Sequence, residues 1–342
     1  MTSSSKQLLV TGASGFLGSR IVDIALHAGW HVRAFDRSPL TQIEEVETFV
    51  GDIGDSALLR KASEGVTAIV HAAGLAHVFG PSAKDSDGFN AVNEVGTGNV
   101  VDAALESGVP HIVLVSSVSV YGGYHGAQCD ETVPCRPQSP YAISKWRGEL
   151  RATERIASGR GSLAILRFAT IYGEGDRGNV AKLISALDSG RFIWPGSGLN
   201  HKSLIYKDDA ARACLRALEC PVPGTQIFNV SAQSATMREI VSAICQALGL
   251  PIPRLGIPQA LLKTASAMFR RFGDPGQLGQ QLQKFIRDDV YDGSKFECTF
   301  DFRPAISLSE GMRREVEFQL AACGASPDSS HGHFYGIHRV CR

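Results

Sequence analysis

A tyrosine and a lysine four residues apart, Tyr141 and Lys145, form the part of this chain best suited to proton transfer. On a helix, this spacing places both side chains on one face. A free tyrosine has a pKa of about 10, and a neighbouring ammonium favours its phenolate form. A serine-rich segment follows an apolar run upstream of the pair, and its hydroxyls could hold a substrate oxygen. We predict Ser117, Tyr141 and Lys145 as catalytic residues and Ser119 as a further substrate contact.

A glycine-rich segment near the amino terminus has the features of a phosphate-binding turn. The run from Lys6 to Val10 predicts a strand, and the amphipathic stretch that ends at Ala28 predicts a helix. Between them, the glycines let backbone and the positive end of the helix approach a diphosphate. The spacing is GxxGxxG, a variant of the commoner GxGxxG. The predicted dinucleotide contacts in this turn are Gly12, Ser14, Gly15, Phe16, Leu17 and Gly18.

An acidic residue, Asp36, ends the next predicted strand. A carboxylate at this distance from the glycines can accept hydrogen bonds from the adenosine ribose, and it would repel a 2′-phosphate. The sequence therefore favours NAD over NADP, although Arg37 would offset part of the repulsion. His71, at the end of a later strand, is interpreted as structural. Further cofactor contacts are expected where later strands end, at Asp52, Ile53, Ala72, Ala73 and Gly74.

Several segments together resemble the extended short-chain dehydrogenase/reductase superfamily and, within it, the nucleotide-sugar epimerase/dehydratase family of the UDP-glucose 4-epimerase type. They are TGASGFLG, HAAG, the segment from Val92 to Thr97, SSVSVYG and YAISK. The resemblance implies that Tyr141 is the catalytic base. It implies that Lys145 lowers the pKa of that tyrosine and binds the nicotinamide ribose, with Ser117 as hydroxyl partner. It also implies a cofactor contact at Asn93.

One departure from the family concerns the residues directly after Ser117. The dehydratases carry an acidic pair there, whereas this chain has Val118 and Ser119, which cannot perform the proton transfer of dehydration. The related decarboxylases keep a glutamate in this stretch. We therefore predict 4-epimerisation of a UDP- or dTDP-hexose through a transient 4-keto intermediate. The alternatives are an NAD(P)H-dependent 4-ketosugar-nucleotide reductase and, more distantly, a 3β-hydroxysteroid-type alcohol dehydrogenase or a non-catalytic NAD-sensing protein.

The resemblance also implies residues that bind the substrate diphosphate. Asn179 resembles the family's diphosphate-binding asparagine. His201 and Lys202 stand where the family usually has one or two arginines, and a lysine supplies charge without the bidentate fork of an arginine. Arg287 is a second candidate phosphate ligand, with a solvated surface arginine as the equal alternative.

Alternating strand and helix patterns up to Phe168 predict an α/β fold, a Rossmann-type doubly wound parallel sheet with a smaller carboxyl-terminal substrate lobe. We expect residues 1–172 to form the NAD-binding domain, with about 201–230 returning to it. The substrate lobe is expected over 173–200 and 231–318. Residues 319–342 are expected to form a flexible tail, because they are rich in serine, glycine and histidine.

The composition limits the classes of partner. With 34 basic and 34 acidic residues, nothing indicates nucleic-acid binding. No segment has signal-peptide or transmembrane character, and eight cysteines lack metal-site or disulfide spacing. We therefore expect a cytoplasmic homodimer in polysaccharide biosynthesis, with no metal and no stable membrane insertion. The segment from Leu261 to Phe272 is interpreted as a packing helix, with contact to a membrane surface as the alternative.

Overall fold

The structure, a computed structural model, describes residues 6–40, 44–76, 86–123, 128–157, 161–257 and 285–324. The chain divides into two compact units. The first unit comprises Met1–Ile171, Ser203–Ser234 and Asp289–Ile306. The second comprises Tyr172–Lys202, Ala235–Asp288 and Ser307–Arg342.

The strands of the described chain belong mostly to one central sheet. In chain order they are β1 Gln7–Thr11, β2 His31–Asp36, β3 Glu47–Val50, β4 Ala68–His71, β5 His111–Ser117, β6 Ser162–Phe168, β7 Thr170–Tyr172, β8 Trp194–Pro195, β9 His201–Lys202, β10 Leu204–Tyr206, β11 Gly224–Val230, β12 Ala235–Thr236 and β13 Gly256–Ile257. Seven of them form a parallel sheet in the order β11-β6-β5-β4-β1-β2-β3. This is the doubly wound order predicted from the sequence, and the carboxyl ends of all seven strands share one edge.

Helices cover both faces of this sheet. In chain order the helices are α1 Gly18–His27, α2 Ser56–Ser63, α3 Ser86–Phe89, α4 Thr97–Glu106, α5 Pro140–Ile156, α6 Asn179–Asp188, α7 Lys207–Glu219, α8 Met237–Leu248, α9 Ser294–Phe300 and α10 Leu308–Gly324. A π-helical turn, Asn90–Gly96, joins α3 to α4, and a 3₁₀ turn, Val118–Tyr121, follows β5. Leu8 and Val10 of β1 pack with α1 and α7, while Leu9 between them packs with α2, α4 and α5. Alternate residues therefore fill two hydrophobic cores.

The first unit includes a late segment, Asp289–Ile306, that the sequence analysis had assigned to the substrate lobe. Backbone hydrogen bonds fix it there, since Asp292 N donates to Cys129 O at 2.8 Å. Two rings of α9 also pack on Phe228 of β11, with centroid distances of 5.8 Å to Phe296 and 5.0 Å to Phe300. Contacts between residues so distant in sequence leave no local pattern, so the sequence could not indicate them.

The second unit contains α6, α8 and α10, with the short pairs β8–β13 and β9–β12. Helix α8 begins with a capping box between Thr236 and Glu239 and ends at Gly249 in the left-handed conformation. Helix α10 continues to Gly324, so residues 319–324 of the expected tail are helical. Residues 325–342 lie outside the described residues, as does the segment from Leu261 to Phe272. Within the described ranges, no helix is long and apolar enough to cross a bilayer.

Glu315 on α10 is a fully buried carboxyl group of the second unit. One of its oxygens accepts a hydrogen bond from Gln319 at 3.3 Å, and the other has no hydrogen-bond partner. Burial, followed by the negative charge of Asp176, raises the pKa of this carboxyl to about 8. The carboxyl is therefore mainly protonated at neutral pH, and ionising it inside the fold costs free energy.

We expect Glu315→Gln to stabilise the protein above pH 8 and to change its stability little near pH 5. The pKa of Glu315 is higher in the folded than in the unfolded chain, so its contribution is fully present below the unfolded pKa of 4.5. That contribution is lost as the pH rises towards the folded value. The gain at pH 9 should be on the order of 2–4 kcal/mol, measured by thermal and urea unfolding across pH.

Glu317→Gln is the matched control, because Glu317 lies on the same helix but is exposed and paired with Arg313 at 2.6 Å. It should give no gain that grows with pH. Equal stability of Glu315→Gln and the wild type at pH 9 would show that Glu315 ionises without cost.

Candidate active site

Helix α5 carries Tyr141 and Lys145. It begins at Pro140, with the Ser139 hydroxyl accepting from Ala142 N at 3.2 Å as amino-terminal cap. Gly148 lies against the π-helical turn, where a β-carbon would overlap the carbonyl of Asn93. Cap and close packing together fix the position of the helix against the end of β5.

The Ser117 hydroxyl is a neighbour of the Tyr141 phenol. Burial raises the pKa of Tyr141, and the interaction with the Ser117 hydroxyl lowers it in part. The ring packs edge-on against Phe89 of α3, with centroids 6.2 Å apart. Ser117 also accepts from Ser119 N at 3.2 Å, so its hydroxyl is held at the start of the 3₁₀ turn. The phenol is therefore protonated at rest, and its oxygen is the atom that would exchange a proton with a substrate.

Lys145 is nearly buried, with 7% of its surface exposed, and its ammonium donates to Val115 O at 2.6 Å. Burial lowers its pKa to about 8, and the Glu149 carboxylate opposes that change. The sequence predicted that Lys145 lowers the pKa of Tyr141. The pKa of Tyr141 in the structure responds to burial and to Ser117, so the effect of Lys145 on that pKa stays a prediction. Lys145 is still mainly an ammonium at neutral pH, one turn of helix from the phenol.

His71 at the end of β4 is buried and neutral. Burial, followed by the charge of Lys145, lowers its pKa to about 3. The Thr97 hydroxyl donates to Asn93 O at 2.7 Å and so accepts from His71 Nε2 at 3.0 Å, which leaves Nδ1 to accept from the Thr11 hydroxyl at 2.6 Å. His71 therefore links β1 and β4 to α4, in agreement with its interpretation as structural.

Two glycines of the turn between β1 and α1 have no room for a side chain. A β-carbon at Gly12 would lie 2.5 Å from Ala73 N, and one at Gly18 would overlap the carbonyl of Gly12. Gly12 also has a φ of 70°, which other residues rarely adopt. Gly15 and Ser14 are exposed, and no side chain caps the amino terminus of α1. Exposed backbone at the positive end of an uncapped helix fits the diphosphate of a dinucleotide.

Asp36 lies at the end of β2 beside this turn. Its carboxylate accepts from Ser14 N at 3.0 Å and from Ser38 N at 3.3 Å. The adjoining residue Phe35 accepts from Gly12 N through its carbonyl at 2.9 Å. The carboxylate is thus fixed next to the glycines, as the sequence predicted.

We expect the protein to bind NAD(H) more tightly than NADP(H), and Asp36→Asn to reduce this preference by at least about tenfold. Asparagine keeps an acceptor for Ser14 N, so the change tests charge rather than the shape of the turn. Calorimetric titration of both cofactors gives the ratio. Arg37→Ala should change the preference in the opposite direction. Tighter binding of NADP(H) by the wild type would contradict the assignment of Asp36.

Three other predicted cofactor contacts, Asn93, Ile53 and Asp52, also interact within the protein. Asn93 is 1% exposed, and its amide bonds Leu75 N at 2.8 Å, Leu75 O at 3.0 Å and the Ser144 hydroxyl at 2.9 Å. It holds the segment after β4 against α5. Ile53 is buried against Gly96, while Asp52 is exposed and caps its own turn through Gly54 N at 2.8 Å.

The segment after β4 lies close to the glycine turn. Ala72 N donates to Thr11 O at 3.1 Å, and Ala73 N to the Thr11 hydroxyl at 3.4 Å. A β-carbon at Gly74 would lie 3.2 Å from the side-chain oxygen of Asn93 and 3.6 Å from Lys145 Nζ. The small residues thus bring the backbone close to both the glycine turn and Lys145.

The predicted diphosphate contacts belong to the second unit. Asn179 is exposed and begins α6. His201 and Lys202 form β9, where His201 N donates to Asp288 Oδ1 at 2.6 Å. The neighbouring Asn200 amide donates to Arg287 O at 3.1 Å. The structure therefore brings the predicted residues at 201, 202 and 287 together within one unit.

Sequence reasoning missed a buried ion pair beneath the catalytic residues. Glu149 on α5 and Arg167 on β6 are 3% and 4% exposed, and Arg167 Nη2 lies 2.7 Å from Glu149 Oε2. The signal in the sequence was the spacing, since Glu149 follows Tyr141 and Lys145 by eight and four residues. Arg167 could be found only from the pairing of β5 with β6.

Comparisons with known proteins identify the family. Residues 8–231 match the model of the NAD dependent epimerase/dehydratase family. N-acetyl-alpha-D-glucosaminyl-diphospho-ditrans,octacis-undecaprenol 4-epimerase from Escherichia coli O157:H7 is 30% identical, over 92% of this chain and 95% of that protein. The 2-alkyl-3-oxoalkanoate reductase of Stenotrophomonas maltophilia is also 30% identical, over 90% and 98%.

A solved structure agrees in fold. MoeE5 in complex with UDP-glucuronic acid and NAD matches with a TM-score of 0.75 and 26% identity, over 92% of this chain and 99% of that chain. The match spans nearly all of both chains. The sheet order, the glycine turn and the group formed by Ser117, Tyr141 and Lys145 agree with this similarity. The chain therefore belongs to the NAD dependent epimerase/dehydratase family.

Proposed function

We propose that this chain is an NAD-dependent 4-epimerase of a hexose linked to a diphosphate, with a UDP- or dTDP-hexose as the first choice of substrate. The observation that carries the proposal is the position of Tyr141 and Lys145 one turn apart on α5, with the Tyr141 phenol beside Ser117 and the Lys145 ammonium held at Val115 O, 2.6 Å away. The similarity to a 4-epimerase and to a structure that holds a UDP-sugar with NAD supports the choice of substrate class.

Each residue of the site has its own role in the proposed reaction. Tyr141 would first ionise to its phenolate beside the Lys145 ammonium, then take the proton from the sugar hydroxyl as the carbinol is oxidised and return it to the same oxygen afterwards. Ser117 holds that oxygen by a hydrogen bond in both orientations of the ring, while the Lys145 ammonium holds the ribose and stabilises the phenolate as it forms. The glycine turn and Asp36 would hold NAD, which would supply the hydride acceptor and donor for this reaction.

Dehydration is disfavoured by what surrounds residues 118 and 119. Val118 is buried in a cluster with Tyr121 and Cys129, and the Ser119 hydroxyl is buried without a hydrogen-bond partner. Neither side chain can move a proton at a sugar carbon, as that reaction requires. Ser119, predicted as a substrate contact, also has its hydroxyl turned into the protein. This favours Ser117 as the hydroxyl that holds the substrate oxygen.

A ketoreductase is the second candidate, favoured by the 30% identity to a 2-alkyl-3-oxoalkanoate reductase. In that reaction Tyr141 would act only as the acid that protonates the carbonyl oxygen. The residues of the site are the same for both reactions, so the fold and motifs do not separate them.

For the diphosphate we propose contacts from Asn179, His201, Lys202 and Arg287. A lysine on β9 supplies positive charge without a bidentate fork, so its contribution should be modest. Lys202→Ala should therefore raise KM for a diphosphate-linked sugar severalfold and leave kcat nearly unchanged. An unchanged KM would remove Lys202 from the set.

We also propose a cytoplasmic homodimer that acts in polysaccharide biosynthesis. Val95 and Leu150 leave 42% and 50% of their surfaces exposed, and Glu94 joins the neighbouring Arg151 at 3.2 Å, which is a suitable surface for a second copy. Leu150→Glu should convert a dimer to a monomer in sedimentation experiments. A wild-type monomer would refute the homodimer.

The cytoplasmic location is supported by the free thiols of the described cysteines, because such thiols suit a reducing compartment. Cell fractionation can test it.

A panel of substrates tests the proposed function. Purified protein would be incubated with UDP-sugars, dTDP-sugars and polyprenyl-diphosphate N-acetylglucosamine, and the epimers separated by chromatography. We expect interconversion of two 4-epimers of one carrier class. Turnover of the polyprenyl substrate alone would support 4-epimerisation, but it would show that the sugar is linked to a polyprenyl diphosphate and not to a nucleotide. Conversion only of ketone substrates with consumed NADH would favour the reductase.

A further inference from the structure

The catalytic face of α5 continues one turn beyond Lys145 to a third polar residue. Tyr141, Lys145 and Glu149 follow one another at intervals of four, so they share one face of the helix. Glu149 lies below the two catalytic residues and is 3% exposed. A buried carboxylate is costly unless it is paired and hydrogen-bonded.

Glu149 is fully paired. Arg167 donates to it from Nη2 at 2.7 Å and from Nε at 3.1 and 3.2 Å, which is a two-nitrogen contact of the strong type. The Ser116 hydroxyl donates to the same carboxylate. Ser116 and Arg167 lie opposite each other in the pairing of β5 with β6. The carboxylate therefore joins α5 to two strands at once.

The network continues from Arg167 into the 3₁₀ turn that follows Ser117. Arg167 Nη1 donates to the Tyr121 hydroxyl at 2.9 Å, and that hydroxyl donates to Asn229 Oδ1 at 2.7 Å. Asn229 Nδ2 in turn donates to Cys129 O at 3.0 Å. Ser117 lies between two segments held by this network, Ser116 before it and the turn after it. Hydrogen bonds in a satisfied buried network reinforce one another and fix one geometry.

The charges near Lys145 come from several elements. His71 on β4 is neutral, because burial lowers its pKa to about 3. Glu149 is the charged group that opposes the effect of burial on Lys145. The groups around Glu149 are Arg167 on β6, the Ser116 hydroxyl on β5, the Lys145 ammonium on α5 and the Cys135 thiol. Arg167 in turn contacts Tyr121 in the 3₁₀ turn. If the Glu149 carboxylate were removed, burial and the unpaired charge of Arg167 would both disfavour the ammonium form of Lys145.

We propose that the Glu149–Arg167 pair is a positioning element of the active site, which fixes α5 against the end of β5 and keeps Lys145 in its ammonium form at neutral pH. Neither residue touches the reacting atoms. The pair acts through Lys145 and through the strand that carries Ser117. The proposal deepens the proposed function but can be tested on the apoprotein, so failure of one is distinguishable from failure of the other.

The test measures the protonation of Lys145 directly. Competitive labelling of the apoprotein with acetic anhydride across pH, followed by mass spectrometry of the Lys145 peptide, gives the midpoint at which this amine loses its proton. We expect Glu149→Gln to lower that midpoint by about one pH unit. The alkaline limb of the kcat/KM profile should move to lower pH by a similar amount.

Two further variants complete the experiment. Glu154→Gln makes the same change on the exposed side of α5 and should leave the midpoint unchanged. Should Glu149→Gln fail to fold, the double variant Glu149→Met/Arg167→Met removes both charges and keeps the buried volume. It should fold and also lower the midpoint. A wild-type midpoint in either folded variant would overturn the proposal, whatever happens to activity.

Discussion

Tyr141→Phe is expected to lower kcat by at least about a hundredfold, the usual scale for loss of a general acid or base. The phenylalanine ring retains the edge contact with Phe89, so folding and NAD binding should change little. Only the hydroxyl beside Ser117 is lost. Turnover at saturating substrate, with calorimetric titration of NAD and a thermal melt, gives all three quantities.

Tyr291→Phe serves as the control for Tyr141→Phe. Tyr291 lies in the same unit, with its ring stacked 6.1 Å from that of Tyr121, and it has no part in the proposed chemistry. Its kcat should stay close to that of the wild type. Wild-type kcat in Tyr141→Phe would mean that another group moves the proton.

Lys145→Met is expected to reduce kcat/KM by at least about a hundredfold and to weaken NAD binding as well. Methionine fills much of the same buried space, but it removes the ammonium that bonds Val115 O at 2.6 Å. The effect on NAD binding separates this variant from Tyr141→Phe, which should leave that binding intact. Steady-state kinetics and calorimetry measure the two effects.

The pH dependence of the wild type follows from the same lysine. Burial lowers the pKa of Lys145 to about 8, so the ammonium is present below that pH and is lost as the pH rises through it. Activity that depends on the ammonium should therefore fall above pH 8. Lys61→Met, on the exposed end of α2, should leave both activity and profile unchanged. Full activity of Lys145→Met across pH would contradict the role of Lys145.

Local spacing was sufficient to predict the parts of the site that lie close together in sequence. Gly12, Gly15 and Gly18 lie between a strand and a helix, and their backbone geometry requires that context. Tyr141 and Lys145 share a helical face for the same local reason. The parallel sheet followed from the alternation of strand and helix patterns, because short alternating elements of this kind have few other arrangements.

The remainder depends on contacts between distant parts of the chain. Arg167 reaches Glu149 only because β6 pairs with β5, and Asp289–Ile306 joins the first unit through aromatic packing on β11. The Asn93 amide bonds Leu75 and Ser144, which belong to two other parts of the chain. The motif that contains Asn93 does not indicate these partners.

The central claim is that the hydride removed from the sugar returns to the same carbon. The measurement is turnover of the substrate labelled with deuterium at C4, without added NAD(P)H, followed by mass spectrometry of the separated epimers and by absorbance at the NADH band. The account predicts an epimer that retains its deuterium at C4, with no stoichiometric change in NADH absorbance. An unchanged labelled substrate, or an epimer that has lost its deuterium from C4, would contradict it.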